Sequence, residues 1–317
     1  MADFAEGTPC WVDASLADLG AGRRFYGELF GWTFDEGGGE EYGSYTQAYS
    51  DGKKVAALAP KPDGRMPTVW EVYFATPDAA ALSARITSAG GQVVMGPMEV
   101  RPFGSTAPAA DPEGSVLAPI KVRPFGTMAL AADPEGAVFG FWQPGTHRGF
   151  EKLREPNAYC WTEVYSRDKD RVDPFYEEVF GFIGSDVEDA GIEFRTWSPR
   201  GTEPGPETAI GGRSVITDAF PAEMPAHFLV YFNVEDCDAS VATVQQLGGR
   251  VTAGPFDTPY GRIAVVADNQ GAVFALLAEP GRAAGPGTEA DAESKGGAGA
   301  GSRAGAPAEP RRLSGSR

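Results

Sequence analysis

Histidine and cysteine are scarce in this chain, with two and three among 317 residues. Three cysteines, two of them at matching positions of a repeat, do not make a disulfide framework. No apolar run approaches the ~20 residues that a membrane-spanning helix needs. The opening Met-Ala-Asp-Phe-Ala-Glu has neither the positive nor the apolar region of a signal peptide. These absences lead us to expect a reduced, cytoplasmic protein with no membrane partner. Positive charge is short too: 27 Lys and Arg face 44 Asp and Glu, for a net charge of −17. Nucleic acid, which calls for a basic stripe, is not an expected partner. From Arg282 onward six basic residues outnumber four acidic ones, so the body is more acidic still. An acidic body serves solubility and says little about a ligand. A hydrophobic content of 42% and a length suited to two domains complete the description of a globular protein.

The chain repeats itself. Phe25-Tyr26-Gly27-Glu28-Leu29-Phe30-Gly31-Trp32 returns as Phe175-Tyr176-Glu177-Glu178-Val179-Phe180-Gly181-Phe182. Cys10-Trp11 returns as Cys160-Trp161 and Asp18 as Asp168, all at an offset of 150 residues. One shared register implies two copies of a folding unit, and so two clefts that can be compared.

Each half divides again into two units that open with a strand and a helix. In the first unit Cys10 to Ala14 is strand-like, Asp18 is an N-cap, Phe25, Tyr26, Leu29 and Phe30 form an apolar helix face, and Gly31 stops the helix. The third unit repeats this from Trp161 through Asp168 to Gly181. The second runs from Val69 to Phe74, is capped at Asp78 and closes at Gly90-Gly91. The fourth runs from Phe228 to Phe232, is capped at Asp236 and closes at Gly248-Gly249. Short β-type runs broken by Gly, Pro and Asp turns follow each helix. The predicted architecture is α+β: four βαβββ modules in two paired domains, each a cupped mixed sheet with helices outside. The boundaries expected are 7–147, a linker at 148–157, 158–280, and a disordered tail at 281–317, which is rich in Gly, Ala, Pro and charge.

The second unit also carries a tandem duplication. Residues 100–121 and 122–143 are identical at 13 of 22 positions, with Val-Arg-Pro-Phe-Gly and Ala-Asp-Pro-Glu-Gly in both. The second copy ends Ala137-Val138-Phe139-Gly140-Phe141-Trp142, parallel to Ala272-Val273-Phe274-Ala275-Leu276-Leu277. The first has Pro108 and Pro119, poor material for a central strand. We therefore expect 122–143 in the sheet and 100–121 extruded as a loop or edge hairpin, a lid being the rival reading. Asp-Pro-Glu-Gly itself reads as a turn.

Four such units, with Phe-Tyr…Phe-Gly-Trp, Gly-Gly and Asp-Pro-x-Gly in order, resemble the vicinal oxygen chelate superfamily of glyoxalases, bleomycin-resistance proteins and extradiol dioxygenases. The nearest likeness is to two-domain bacterial members often labelled hydroxylases or glyoxalase-like proteins. The resemblance implies a divalent metal held by His, Gln or Glu on the first strand of a unit and Glu on the last. Counted from the capping Asp, the first-strand slots fall on Trp11, Glu71, Trp161 and Leu229, and the last-strand slots on Gly140 and Ala275. Only Glu71 among these can bind a metal, with Asp13 nearby as a second carboxylate. His147 reads as a solvated residue near the linker and His227 as a strand-end residue. The expectation is no metal and no other cofactor.

Strand alternation places the neighbours two residues from each slot in the same cup. The first cup then presents Trp11, Asp13, Glu71, Tyr73, Val138 and Trp142. The second presents Trp161, Glu163, Tyr165, Leu229, Tyr231, Asn233, Val273 and Leu277. Cys10 and Cys160 alternate away and read as buried small hydrophobes. Aromatic walls with a few carboxylates suit a planar organic guest, with a preference for amines. A metal-free small-molecule binding protein, as a monomer or homodimer, is the favoured function, in sequestration or as a biosynthetic accessory. The alternative is a lyase- or oxygenase-type enzyme with Glu71 or Glu163 as acid–base catalyst beside Tyr73 or Tyr165. A third reading, an interaction scaffold, would need exposed apolar patches that the sequence does not reveal.

Overall fold

A computed structural model describes residues 4–35, 45–61, 63–100, 125–187 and 193–280. The first half comprises β1 (Pro9–Leu16), α1 (Leu19–Phe30), β2 (Thr33–Phe34), β3 (Thr46–Ser50) and β4 (Lys53–Pro60), followed by β5 (Val69–Ala75), α2 (Ala79–Ser88), β6 (Gln92–Val100), β7 (Gly126–Ala132) and β8 (Val138–Pro144). The second comprises β9 (Tyr159–Ser166), α3 (Lys169–Phe180), β10 (Ile183–Val187), β11 (Phe194–Ser198) and β12 (Gly211–Val215), followed by β13 (His227–Asn233), α4 (Cys237–Gln246), β14 (Arg250–Thr258), β15 (Gly261–Ala267) and β16 (Val273–Ala278). Each half makes one eight-stranded mixed sheet, ordered β2-β3-β4-β1-β5-β8-β7-β6 and β10-β11-β12-β9-β13-β16-β15-β14. Among the described residues no helix is long and apolar enough to cross a membrane.

The four helices start where the sequence predicts. Asp18, Asp78, Asp168 and Asp236 accept backbone N–H bonds from their first turns, satisfying donors that have no partner within the helix. Gly31 and Gly181 end α1 and α3 with φ of 67° and 71°, a left-handed conformation that suits glycine. Between these ends the apolar face is buried: Phe25, Tyr26 and Phe30 on α1, and Phe175, Tyr176, Val179 and Phe180 on α3.

Alternation along the central strands sorts the side chains. Val72, Phe74, Val230 and Phe232 are fully buried on the helix side of their sheets. The two sheets meet through these sides, with Trp70 against Phe232 at 4.9 Å and Phe74 against Phe228 at 5.8 Å between ring centroids. Edge-to-face and offset aromatic pairs add to the area they bury. The concave faces are therefore turned outward.

The turn before each last strand joins one half to the other. Asp133 accepts from the backbone N–H groups of Glu135 and Ala137 and from Tyr176 Oη. Asp268 does the same for Gln270, Ala272 and Tyr26. Asp-Pro-Glu-Gly is thus a turn with a second task, holding a helix of the opposite half. The second copy of the duplication provides this turn together with β7 and β8. The first copy, beyond Val100, lies outside the described residues, as do 281–317.

Candidate functional site

The first cup gathers its polar groups from adjacent strands. Trp11 and Asp13 on β1 lie opposite Tyr73 and Glu71 on β5. Asp13 accepts from Tyr45 Oη at 3.1 Å and Tyr73 Oη at 3.5 Å, while Trp11 Nε1 donates to Tyr45 Oη at 2.9 Å. Burial, and then the neighbouring Glu71 charge, push the Asp13 carboxyl up to about 8 against the pull of the two phenols. Glu71 is half-buried, and burial raises it to about 6.

One end of this cup is filled by its own chain. His147 stands edge-on to Trp11, with centroids 4.5 Å apart, and Trp142 Nε1 donates to the His147 carbonyl. Phe150 lies against Trp11 and stacks on Tyr159. The stretch is pinned by Phe150 N–H to Cys10 O, Glu151 N–H to Lys54 O, and Lys152 Nζ to Ser50 and Asp51. The expectation of a solvated His147 is corrected: its ring packs between two tryptophans. Burial and the nearby Lys54 depress it to about 4, with Glu151 opposing.

In the second cup Phe220 stands edge-on to Tyr165, with ring centroids 5.9 Å apart, while Trp161 stays partly exposed. Trp161, Glu163 and Tyr165 on β9 lie opposite Tyr231, Leu229 and His227 on β13. Glu163 accepts from Trp161 Nε1 at 3.1 Å, Ser214 Oγ at 3.1 Å and Tyr231 Oη at 3.0 Å. The Tyr165 ring stacks on His227 at 5.2 Å and 11°. Burial raises the Glu163 pKa, opposed by these hydrogen bonds. The facing wall is Ile263, Val265, Val273 and Leu277, all partly exposed, around buried Leu229, Tyr231 and Ala275. Asn233 lies apart from Glu163, donating to Glu279.

Sequence reasoning did not reach Tyr45, Ser214 or the plugging role of His147 and Phe150. Tyr45 and Ser214 come from β3, or the residue just before it, and β12, strands with no slot motif, and only the sheet register brings them in. The cysteines were expected to turn away by alternation. Each is the extra residue of a bulge, Cys10 between Pro9 and Trp11 and Cys160 between Tyr159 and Trp161, where alternation fails. Cys160 accordingly clusters with Leu229 and Tyr231. Both thiols are buried, and burial raises their pKa, as in unreactive cysteines.

Comparison with known proteins gives this architecture its relatives. The Glyoxalase/Bleomycin resistance protein/Dioxygenase superfamily profile matches residues 11–136 and 161–276. The chain belongs to this superfamily. The anthracycline biosynthesis protein DauV of Streptomyces sp. strain C5 is 34% identical over 87% of this chain and 95% of its own. A Mycobacterium bovis protein, CFP32, provisionally named a glyoxylase, is 35% identical over 87% of this chain and 96% of its own. Among solved structures, the Mn(II)-bound glyoxalase from Novosphingobium aromaticivorans aligns with a TM-score of 0.54 at 15% identity, covering 86% of this chain and 81% of its own. That likeness is one of fold.

The superfamily's metal can be tested against the residues present. No three His, Cys, Asp or Glu converge among the described residues. At Gly140, one last-strand slot, even a Cβ would collide with the Tyr73 ring, so Tyr73 fills the space a ligating Glu would need. In the second cup Glu163 is the one carboxylate of the cluster and is taken up by neutral donors. The donor set does not fit a divalent metal.

Proposed function

We propose that this superfamily member binds a planar organic compound in its second cup, without a metal. The observation that carries this reading is the wall of Ile263, Val265, Val273 and Leu277, left partly exposed opposite Trp161 and Tyr165. Apolar side chains held open to solvent on a concave face gain by covering, and aromatic side chains at the margin favour a flat guest. Relatives named for anthracycline biosynthesis, a chemistry of fused planar rings, support the same reading. The role is that of a biosynthetic accessory or a sequestering protein. Thermal unfolding with a panel of fused-ring compounds tests it. A ligand at 100 times its Kd adds about 2.7 kcal/mol of stability. Trp161→Ala should abolish the shift and Trp11→Ala should leave it, since Trp11 is covered by His147 and Phe150.

A second reading, an acid–base enzyme, is favoured by Glu71. Burial raises its carboxyl to about 6, and it lies opposite Asp13. A base poised near neutral pH beside a protonated acid suits proton transfer. Turnover of any substrate that is lost in Glu71→Gln and kept in Glu163→Gln would select this reading.

A further inference from the structure

The end of the second cup beside Tyr165 is bounded by a loop, 217–224, on the connection from β12 to β13. Its Phe220 stands edge-on to Tyr165, which also stacks on His227 at the start of β13. Phe220 and Met224 are partly buried, and the other residues of 217–224 are exposed. Turns within the loop tie Phe220 N–H to Thr217 O and Met224 N–H to Pro221 O, but so exposed a stretch has no core of its own. Arg167, the residue after β9, gives it a fixed place. Its Nη2 lies 2.9 Å from Pro221 O, 3.1 Å from Ala222 O and 3.3 Å from Met224 O. Among the described residues these are the only hydrogen bonds that reach 217–224 from outside it. Bonds from a charged donor are stronger than those between neutral groups.

The backbone of Arg167 is fixed in turn from the other half. Glu135, in the Asp-Pro-Glu-Gly turn of the duplicated segment, accepts from Ser166 Oγ, from Arg167 N–H at 2.8 Å and from Asp168 N–H at 3.1 Å. The first cup is built without this device. Ala17 stands 150 residues before Arg167 and has no donor to offer from its side chain. The connection from β4 to β5, 61–68, contains no aromatic residue, and Lys61 Nζ ties it to its own Met66 O and Thr68 Oγ1. We infer that Arg167 is a positioning residue of the second cup: it holds Phe220 against Tyr165 and so presets the aromatic end wall for a planar guest. This rests on the small-molecule binding reading and names a residue that sets its affinity through Phe220. A wall already in place spares the guest the cost of ordering the loop, and that saving appears as affinity.

Two measurements on the full chain test this. Hydrogen exchange of the free protein at 217–224 should be about tenfold or more faster in Arg167→Ala than in the wild type, with β9 unchanged. Calorimetric titration with 2-naphthol and 9-phenanthrol reads the wall itself. Arg167→Ala and Phe220→Ala should each weaken binding by about tenfold. The double variant should lose no more than Phe220→Ala alone, because Arg167 acts through Phe220. Losses that multiply in the double variant would mean that Arg167 acts on the guest by another route, and would overturn the proposal. So would unchanged exchange at 217–224, whatever the affinities. A wild type that bound neither compound would sink the binding reading, and the role of the wall with it, even where exchange showed the loop to be held by Arg167.

Discussion

Tyr26 and Asp268, 242 residues apart, share a hydrogen bond of 2.9 Å that ties α1 to the turn before β16. Tyr176 and Asp133 repeat it at 3.1 Å. The copies differ in one respect. Tyr26 Oη also accepts from Trp70 Nε1 at 3.0 Å, whereas Phe228 occupies the place of Trp70 in the second half and has no N–H to give. Tyr26→Phe therefore orphans two buried groups and Tyr176→Phe one. At roughly 1–3 kcal/mol for each unsatisfied group, Tyr26→Phe should be the more destabilising. Urea unfolding of both variants checks the order. Equal losses would mean that Trp70 finds another acceptor.

Asp13 makes stability depend on pH in an unusual direction. Its native pKa of about 8 lies above the ordinary 3.8, so the folded chain keeps a proton that the unfolded chain releases across that interval. The contribution is complete below about pH 4 and is lost as pH rises toward 8. Glu71, at about 6, acts in the same sense over a narrower range. Asp13→Asn, a neutral near-isostere, should lack the Asp13 component. Between pH 5 and pH 8 the wild type should lose on the order of a few kcal/mol more than the variant in urea unfolding. Parallel profiles would show that Asp13 is already ionised at pH 5.

The fold was open to sequence reading because its signals are local and repeated. The four capping Asp residues and the left-handed Gly31 and Gly181 each act within a few residues of themselves, and the offset of 150 residues repeats them in both halves. The cup faces expected on β1, β5, β9 and β13 came from the slots that the family resemblance implies, with alternation supplying their neighbours. What stayed hidden depends on long-range register or a break in it. Tyr45 reaches Asp13 across two strand pairings, Ser214 reaches Glu163 through the β12–β9 pairing, and the bulges at Cys10 and Cys160 interrupt the period of two. The packing of His147 and Phe150 on Trp11 depends on the path of a connecting segment, for which no periodic signal exists.

Metal content offers a direct check on the emptied slots. With Tyr73 seated over Gly140 and Trp11, Trp161 and Leu229 in three first-strand slots, a divalent ion meets too few donors. Untagged protein from cells supplied with Mn, Fe, Ni and Zn should contain less than about a tenth of an equivalent, and chelation should not lower its melting temperature. Near one equivalent would mean that Asp13 and Glu71 recruit further ligands, and the enzyme reading would lead.

The plug over the first cup should open in acid. His147 is held at about 4 in the fold against an ordinary 6.5, because its ring is buried and Lys54 lies close, with Glu151 opposing. For a base whose native pKa is depressed, the undocked state binds the extra proton. Docking is therefore unaffected above about pH 6.5 and weakens progressively as pH falls toward 4. The penalty is local, since the segment is held by its own bonds to Cys10, Lys54 and Asp51 while the sheet beneath has separate pairing. Exposure of Trp11 and Trp142, followed by fluorescence and by hydrogen exchange at residues 145–151, should rise between pH 6.5 and 4.5, before global unfolding. His147→Phe keeps a ring between the two tryptophans and cannot be protonated, so it should stay docked over the whole range. If the variant opened at the same pH as the wild type, protonation of Asp51 in its pair with Lys152, rather than of His147, would be the trigger.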